Sequence, residues 1–416
     1  MKKNEYGIKH EPPVIIGKVP KLYTWLSEDK HCDVCVIGGG LTGAMCALTA
    51  AEMGLGVVLI TSGAVGFGST AHMLGCARFD CGHTLSELDK VVSIDDALKL
   101  YSLGLEALDG LQNLCGLLDG EYKKTGVATG FERRDSLVFT ADSTELELME
   151  REYLAMSKQF PDCTFISRKT ADNSFDFPIC GGILTKEGGA VLDPYGLTHL
   201  CLMKAEELGA EIFEQTEALD IQTPNRPEGC VIIKTSTHRN VYADKLIFSL
   251  GSDGFDFISR RARTFRSYTV ITDADGNKPA WSGKCLLRTF GNRPISCVIR
   301  GNGKIAASAV YKYRGIHRFA PNAENHEKYD RLCGFIKDTL NDEQAPKIRY
   351  QYAYPYHLSP DGLPLIGVHQ EYKNCLFALC GGADSPIYSQ TAAESVREIL
   401  SGNASASGRL FDPMRI

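Results

Sequence analysis

Asp33-Val34-Cys35-Val36-Ile37-Gly38-Gly39-Gly40-Leu41-Thr42-Gly43 decides the fold. An apolar run of strand length ends in a glycine turn, and residues of helical character follow. Gly38, Gly40 and Gly43 occupy the three positions of a dinucleotide fingerprint. The first glycine permits a tight turn, the second lets backbone approach a pyrophosphate, and the third lets helix close onto strand. The pattern predicts a helix from about Leu41 to Met53, with Ala44, Ala47, Leu48, Ala50 and Ala51 as small packing residues and Gly54 as the stop. Its free N–H groups and positive dipole end would face phosphate, with Leu41 and Thr42 in the first turn. Gly56 to Ile60 then reads as a second buried parallel strand. An acidic residue ordinarily ends that strand and accepts bonds from a ribose. Thr61 stands there instead, 18 residues after Gly43, and its hydroxyl makes one such bond, not a bidentate pair.

Working outward, 416 residues exceed one ordinary core, so two domains are expected. A net charge of −6 and a pI near 6.0 argue against a nucleic-acid surface and for a small-molecule partner. No run of 18 apolar residues occurs, so no membrane span is expected, and Met1 to Glu5 leads into no apolar signal core; a cytoplasmic location follows. The 15 cysteines are scattered and odd in number, as reduced core thiols would be. Cys32-x-x-Cys35 has redox or zinc spacing, but Cys35 falls inside the first strand and no second pair follows at zinc spacing. Cys76, Cys81 and His83 form a looser cluster, and no metal is expected at either place.

Residues 1–30 form an irregular lead-in, with Tyr23, Trp25 and Leu26 as the side chains that would pin it to the body. Gly63 to Met73 is a glycine-rich loop with Ser69, Thr70 and His72, suited to backbone approach to a ligand. Apolar spacing predicts a helix over 86–118, and another is expected over 144–158 between strands at 126–141 and 177–186. Asp193-Pro194-Tyr195 opens a helix over 194–208, and strands follow at 211–214, 231–234 and 246–250. Residues 264–313 are strand-rich. A helix over about 323–340 and a strand over 350–356 come next. The chain closes with the turn Ser359 to Gly367, a strand at 376–379, the turn Cys380-Gly381-Gly382 and an apolar helix over 386–400.

Four separated pieces carry a resemblance: Val36 to Gly43; Val65 to Thr70; Ala243 to Gly251; and Asp361 to Gly367 continuing through Gly381-Gly382. Together they resemble the D-amino-acid-oxidase superfamily of FAD-dependent oxidoreductases, the group of glycine oxidase and sarcosine oxidase. The resemblance implies an α/β protein: a Rossmann-like FAD-binding domain interleaved with an α+β substrate domain on an antiparallel-rich sheet. The FAD domain would comprise 30–85, 190–258 and 355–410, and the substrate domain 86–189 and 259–354. It also implies FAD with its pyrophosphate at Gly38, Gly40 and Gly43, phosphate or ribitol contacts from Ser69 and Thr70, and adenine against the backbone of Ala218. Gly251 lies in the third piece. Gly362, Gly381, Gly382 and the helix start at Ser385 would reach the isoalloxazine.

The pattern departs from the family in places. Relatives usually carry Gly-Gly-Asn-Gly where this chain has Gly382-Ala383-Asp384-Ser385. Sarcosine oxidases attach flavin through a cysteine and hold an oxygen-activating lysine where Tyr354 and Ile387 stand here, so non-covalent FAD and slow reaction with oxygen are expected. No Cys-x-His pair lies near the C-terminus, so the iron–sulfur domain of some relatives is not expected.

The implied reaction is oxidation of a C–N bond of a small amine or amino acid by hydride transfer to flavin N5. Arg300 could pair with a carboxylate or form a surface salt bridge. His72 and His357 could accept a proton, or be structural. Tyr268, Tyr354 and Tyr356 could line the pocket, or pack in a sheet. Arg260-Arg261-Ala262-Arg263 with Arg266 reads as a solvated face, with an anionic-substrate site as the alternative. A flavoprotein without turnover, or a flavin-free interaction subunit, is the alternative, and a partner subunit or homo-oligomer is left open. An NAD-dependent dehydrogenase fits less well, because flavin-type motifs follow the first fingerprint.

Overall fold

A computed structural model describes residues 8–13, 20–160, 162–171, 174–224, 226, 229–251, 263–273, 281–301, 303–312, 326–340, 347–382 and 385–416. Among these, strands gather into two sheets. The first contains β1 (Lys30–Ile37), β2 (Val57–Ile60), β7 (Glu211–Phe213), β8 (Ala218–Gln222), β9 (Val231–Thr235), β10 (Asn240–Phe248), β16 (Leu365–Val368) and β17 (Cys375–Leu379). Its central order β17-β10-β1-β2-β7 is parallel throughout. The last four residues of β1 and all four of β2 are buried, as strands covered on both faces must be. Ile37 lies opposite both Ile60 and Phe248. Three strands therefore end at one level, and Gly38, Thr61 and Ser249 form a common rim. In an open parallel sheet that rim is where ligands bind.

The helix Leu41–Glu52 packs against the helices Pro194–Glu207 and Ser385–Leu400. Ala44, Ala47, Ala50 and Ala51 are buried on it, and side chains this small let the neighbouring helices approach closely. The remaining strands form the second sheet. It holds β3 (Cys76–Arg78), β4 (Glu132–Thr140), β5 (Cys163–Ser167), β6 (Gly181–Val191), β11 (Arg263–Thr272), β12 (Leu286–Thr289), β13 (Ile295–Ile299), β14 (Ile305–Lys312) and β15 (Ile348–Leu358). All its pairings are antiparallel except β4 with β12. The helix His326–Leu340 packs on β11 and β14.

Several expectations are corrected. The helix expected over 86–118 is two, Leu85–Leu88 and Ile94–Glu121. Local caps favour the break: Thr84 and Glu87 form a capping box, and Ser93 Oγ accepts the Asp96 N–H at 3.2 Å. The buried Glu152 carboxylate also accepts the N–H groups of Leu85 and Ser86. Leu26 is fully buried, with its N–H on Thr216 Oγ1 at 3.1 Å, but Trp25 is 63% exposed and pins nothing. Arg266 is buried, not on a solvated face; Arg263 is exposed, and Arg260 to Ala262 lie outside the described residues. The 15 cysteines are free thiols. Cys32 and Cys35 both sit in β1, and residues three apart in a strand point to opposite faces, so this pair cannot close.

Candidate active site

The glycine turn works through its lack of side chains. Gly38 has φ 122°, and a Cβ there would meet the Ser249 carbonyl oxygen at 2.1 Å. A Cβ on Gly43 would lie 1.9 Å from the Gly38 carbonyl oxygen. Gly40, which caps the helix Leu41–Glu52 with no side-chain bond, leaves the approach to the first turn open. The N–H groups of such a turn have no acceptor within the helix. Thr70 Oγ1 takes one of them, from Leu41 at 3.0 Å, and Thr42 Oγ1 lies 2.7 Å from Ser389 Oγ.

Around this turn runs a cleft of about 670 Å³. Gly38 to Thr42, Thr61, Ser69 and Thr70 line one end, and Glu217, Ala218, Gly251, Tyr354, Cys380 and Ser385 are also on its wall. Gly38, Gly40, Leu41, Thr42, Thr61, Ser69, Thr70, Ala218, Gly251 and Ser385 thus converge here from distant parts of the sequence. Gly43 acts behind the wall by closing helix onto strand. Thr70 reaches the cleft but spends an acceptor on Leu41. Thr61 carries no carboxylate, and the acids on this wall are Glu217 and Asp220, which the sequence reading missed. A long, glycine-walled cleft that ends on a helix N-terminus fits an extended dinucleotide with its pyrophosphate at Gly40 to Thr42.

The cleft narrows into a throat of about 40 Å³. Ser69, Met73, Gly251, Tyr354, Cys380 and Ser385 line both spaces, and His72, Tyr356, His357, Gly381 and Gly382 complete the throat. The ring of His72 stacks on Tyr354 with centroids 4.1 Å apart. Its Nδ1 lies 2.9 Å from the Gly68 carbonyl, so Nδ1 carries the hydrogen and Nε2 is left as an acceptor. Burial holds this imidazole below its ordinary pKa, against the opposing pull of that carbonyl, and it is neutral at pH 7. Buried His357 lies 3.4 Å through Nε2 from Thr264 Oγ1. Ser385 opens the helix Ser385–Leu400 and lines both cleft and throat. Its dipole favours negative charge there.

Beyond the throat the space widens into a chamber of about 870 Å³, with Leu74, Ser308, Tyr356, Gly381 and Gly382 common to both. Strand register builds this path. On β15, Tyr354, Tyr356 and Leu358 alternate along one face and line cleft, throat and chamber in turn. Their partners on β11 are Ser267, Phe265 and Arg263, which line throat, chamber and chamber. The other face of β11 points away, so Tyr268 is buried against Tyr311 and Tyr329 and lines none of the three spaces.

Two expected site residues land elsewhere. Arg300 follows the last residue of β13, and its Nη2 donates to the Leu74 carbonyl at 3.0 Å. It lines none of the three spaces and makes no surface salt bridge among the described residues; the strand end turns it toward Asp193 and Tyr352, on which its charge acts. Gly362 lines the chamber beside His83, not the cleft. Its turn is clamped by the C-terminal Arg415, whose Nε and Nη2 donate to the Asp361 carboxylate at 2.7 and 3.0 Å. Burial would raise the Asp361 pKa, but Arg415 prevails and holds it below the ordinary value. The sequence reading missed the chamber's charged lining, chiefly Arg288, Arg293, Lys312, Lys328 and Arg331. Only the spacing of Lys328 and Arg331, one helical turn apart, hinted at a shared face. Among the described residues no three His, Cys, Asp or Glu side chains are grouped to hold a metal ion, and no helix is long and apolar enough to cross a membrane.

Comparison with known proteins bears directly on this arrangement. The family model described as "FAD dependent oxidoreductase" (DAO) matches residues 33–386. The Probable oxidoreductase OrdL of Haemophilus influenzae is 27% identical over 232 residues, 53% of this chain and 49% of that protein. This chain therefore spans about half the length of that relative. The Putative Rieske 2Fe-2S iron-sulfur protein YhfW of Bacillus subtilis is 27% identical over 404 residues, 94% of this chain and 72% of its own length. The crystal structure of glycine oxidase from Geobacillus kaustophilus superposes with a TM-score of 0.76 at 16% identity, covering 93% of this chain and 99% of that one. That likeness shows the fold. The glycine cleft, the rim of strand ends and a family match spanning most of the sequence agree: this chain belongs to the DAO family of FAD-dependent oxidoreductases, and its cofactor is FAD.

Proposed function

We propose that the chain oxidises a C–N bond of a small amine or amino acid, with the amine presented at the throat and the rest of the molecule in the chamber. The observation that carries this reading is the row of a glycine-walled cleft, a small throat and a wide chamber, each sharing lining residues with the next. Bound FAD would supply the two-electron acceptor for the hydride that leaves the carbon beside nitrogen. The chain's own groups orient and shield. The throat admits little more than the reacting group and excludes water. His72 Nε2, unprotonated at pH 7, can accept a hydrogen bond from the substrate nitrogen, and Tyr354 holds that ring in place by stacking. The helix end at Ser385 favours negative charge on the cleft side.

The FAD is held non-covalently and reacts slowly with oxygen; Tyr354 and Ile387, where sarcosine oxidases carry cysteine and lysine, motivate both statements. We also assign 30–85, 190–258 and 355–410 to the cofactor half and 86–189 and 259–354 to the substrate half. Sheet membership supports this division, with β3 and the ends of β6 and β15 crossing it. The test is a visible spectrum of purified protein. Bands at about 370 and 450 nm, bleached by one or more members of an amine and amino-acid panel without oxygen, are expected. Colourless protein that takes up no added FAD would overturn the reading.

A further inference from the structure

Resting on that reading, we propose that the substrate bears a carboxamide about 10 Å from its reacting amine, and that Arg288 and Glu87 bind it. Strand register lays out the path. Ser308 of β14 lines both throat and chamber, Ser296 of β13 lies directly opposite it, and Arg288 of β12 lies directly opposite Ser296. Directly opposed residues share a sheet face, so these three side chains face the ligand path together. Two strand spacings, about 10 Å, separate Ser308 from Arg288. The two serines are small and leave a low floor between the throat and the arginine. Tyr311, on which Lys328 and Arg331 gather, comes three residues after Ser308 and so belongs to the opposite face, against Tyr268.

At the end of this floor a donor stands beside an acceptor. Arg288 is buried, and its Nη2 donates to Glu87 Oε2 at 3.1 Å. Its Nη1 is buried too and has no hydrogen-bond partner among the described residues. Glu87 lines the chamber; its Oε2 also accepts the Thr84 N–H at 2.9 Å, while its Oε1 takes no bond among the described residues. Charge here is balanced. Arg288 pairs with Glu87 and Arg78 with Asp80, and Arg288 also acts on Asp80, so two charges of each sign form one group. Glu152, the next acid, accepts the Leu85 and Ser86 N–H groups and does not line the chamber. Burial holds the pKa of His83, beside them on the chamber wall, below its ordinary value, so it is neutral at pH 7. A free carboxylate or ammonium at this end would add an uncompensated, partly buried charge. A carboxamide adds none: its oxygen accepts from Nη1 and its NH2 donates to Oε1.

The experiment uses the purified holoprotein and three non-reacting probes of one length: hexanamide, hexanoate and N,N-dimethylhexanamide. Binding is followed by thermal shift and by perturbation of the flavin band. Hexanamide is expected to bind roughly tenfold more tightly than hexanoate. It should also bind severalfold more tightly than the dimethyl amide, which keeps the acceptor and lacks the donor. Both ratios should fall to near one in Arg288→Met/Glu87→Gln. That pair of changes conserves net charge and keeps the Thr84 capping box, because glutamine also serves in it. Ser296→Leu fills the floor and leaves the ion pair in place; it should weaken hexanamide severalfold and serves if the double variant fails to fold. In the amine panel, ω-aminohexanamide should exceed ω-aminohexanoate and hexylamine roughly tenfold in kcat/KM, chiefly through KM. Hexanoate binding as tightly as hexanamide, equal affinity for the two amides, or unchanged ratios in the double variant would each overturn the proposal. Probe binding is read without turnover. Selection of hexanamide by a protein that oxidises no amine would break the functional reading alone, and amine oxidation without amide preference would break this inference alone.

Discussion

The two ends of the ligand path are built from different material. The cofactor end is mostly backbone: a glycine turn, a helix start and the rim of three parallel strands. The chamber end is mostly side chains, brought by strands β11 and β14, the segment around Arg288 to Ser296 and one helix. Backbone recognition demands the absence of side chains at set spacings and tolerates little change. Side-chain recognition demands only that charges meet in space, so its residues are free to lie anywhere in the chain. One end can therefore serve a whole family while the other sets what each member accepts.

The sharpest break of this contrast comes from adding one carbon at the cofactor end. Gly43→Ala places a Cβ 1.9 Å from the Gly38 carbonyl oxygen, so helix and strand must separate. FAD affinity is expected to fall by about a hundredfold, in line with an overpacking penalty of a few kcal/mol. Fluorescence titration of the apoprotein measures it, and a loss below threefold would show that the turn does not set the pyrophosphate site.

Behind the same turn, His199 is fully buried, and neither ring nitrogen has a hydrogen-bond partner. Its ring lies 4.6 Å from that of Tyr195, which in turn packs on Gly66. Burial pushes this imidazole down to about 4 from an ordinary 6.5. The folded value lies below the unfolded one, so above pH 6.5 the residue contributes no pH dependence. As pH falls from 6.5 to 4 only the unfolded chain takes up the proton, and stability declines by ~3 kcal/mol at most. His199→Leu should remove that part of the acid sensitivity; parallel melting curves for both proteins across this range would refute it.

At the chamber end, Arg415→Met should free the Asp361-Gly362 turn and lower stability by ~2 kcal/mol, because a bidentate, mostly buried pair loses one partner. Since Arg415 depresses the Asp361 pKa, the pair stabilises above the ordinary carboxylate pKa and the gain disappears as pH falls through the lowered value. Denaturant midpoints followed from pH 7 downward should therefore separate the two proteins at the higher pH, with the gap narrowing once pH falls below the ordinary carboxylate value.

Smaller effects sharpen the picture. Thr61→Glu restores a carboxylate at the strand end and should tighten FAD by up to about tenfold; an unchanged dissociation constant would mean that the ribose is held elsewhere, with Glu217 the first candidate. Gly116→Ala, at an exposed position toward the end of the helix Ile94–Glu121 with nothing within 4 Å of the new Cβ, should instead stabilise by about 0.5–1 kcal/mol. Set beside Gly43→Ala, it separates a glycine needed for close approach from one that is not.

Legibility followed the same division. The fingerprint, the loop through Ser69 and Thr70 and the last glycine turn were readable because local chemistry alone demands those residues. The break between the helices Leu85–Leu88 and Ile94–Glu121 was also local, yet the apolar periodicity masked the caps at Thr84 and Ser93. Arg300 and Arg266 were misread for another reason: their surroundings depend on which face of a strand they occupy and what packs there.

By itself the sequence determined a dinucleotide turn, a parallel sheet around it and the family, because strand, turn and helix are specified by neighbours a few residues apart. Only the tertiary structure decided that Tyr354, Tyr356 and Leu358 line three successive spaces, and that Lys328, Arg331 and Arg293 meet on Tyr311. Those meetings depend on sheet register and on how a helix lies across β11 and β14, and pairings between segments distant in sequence leave no local periodic mark.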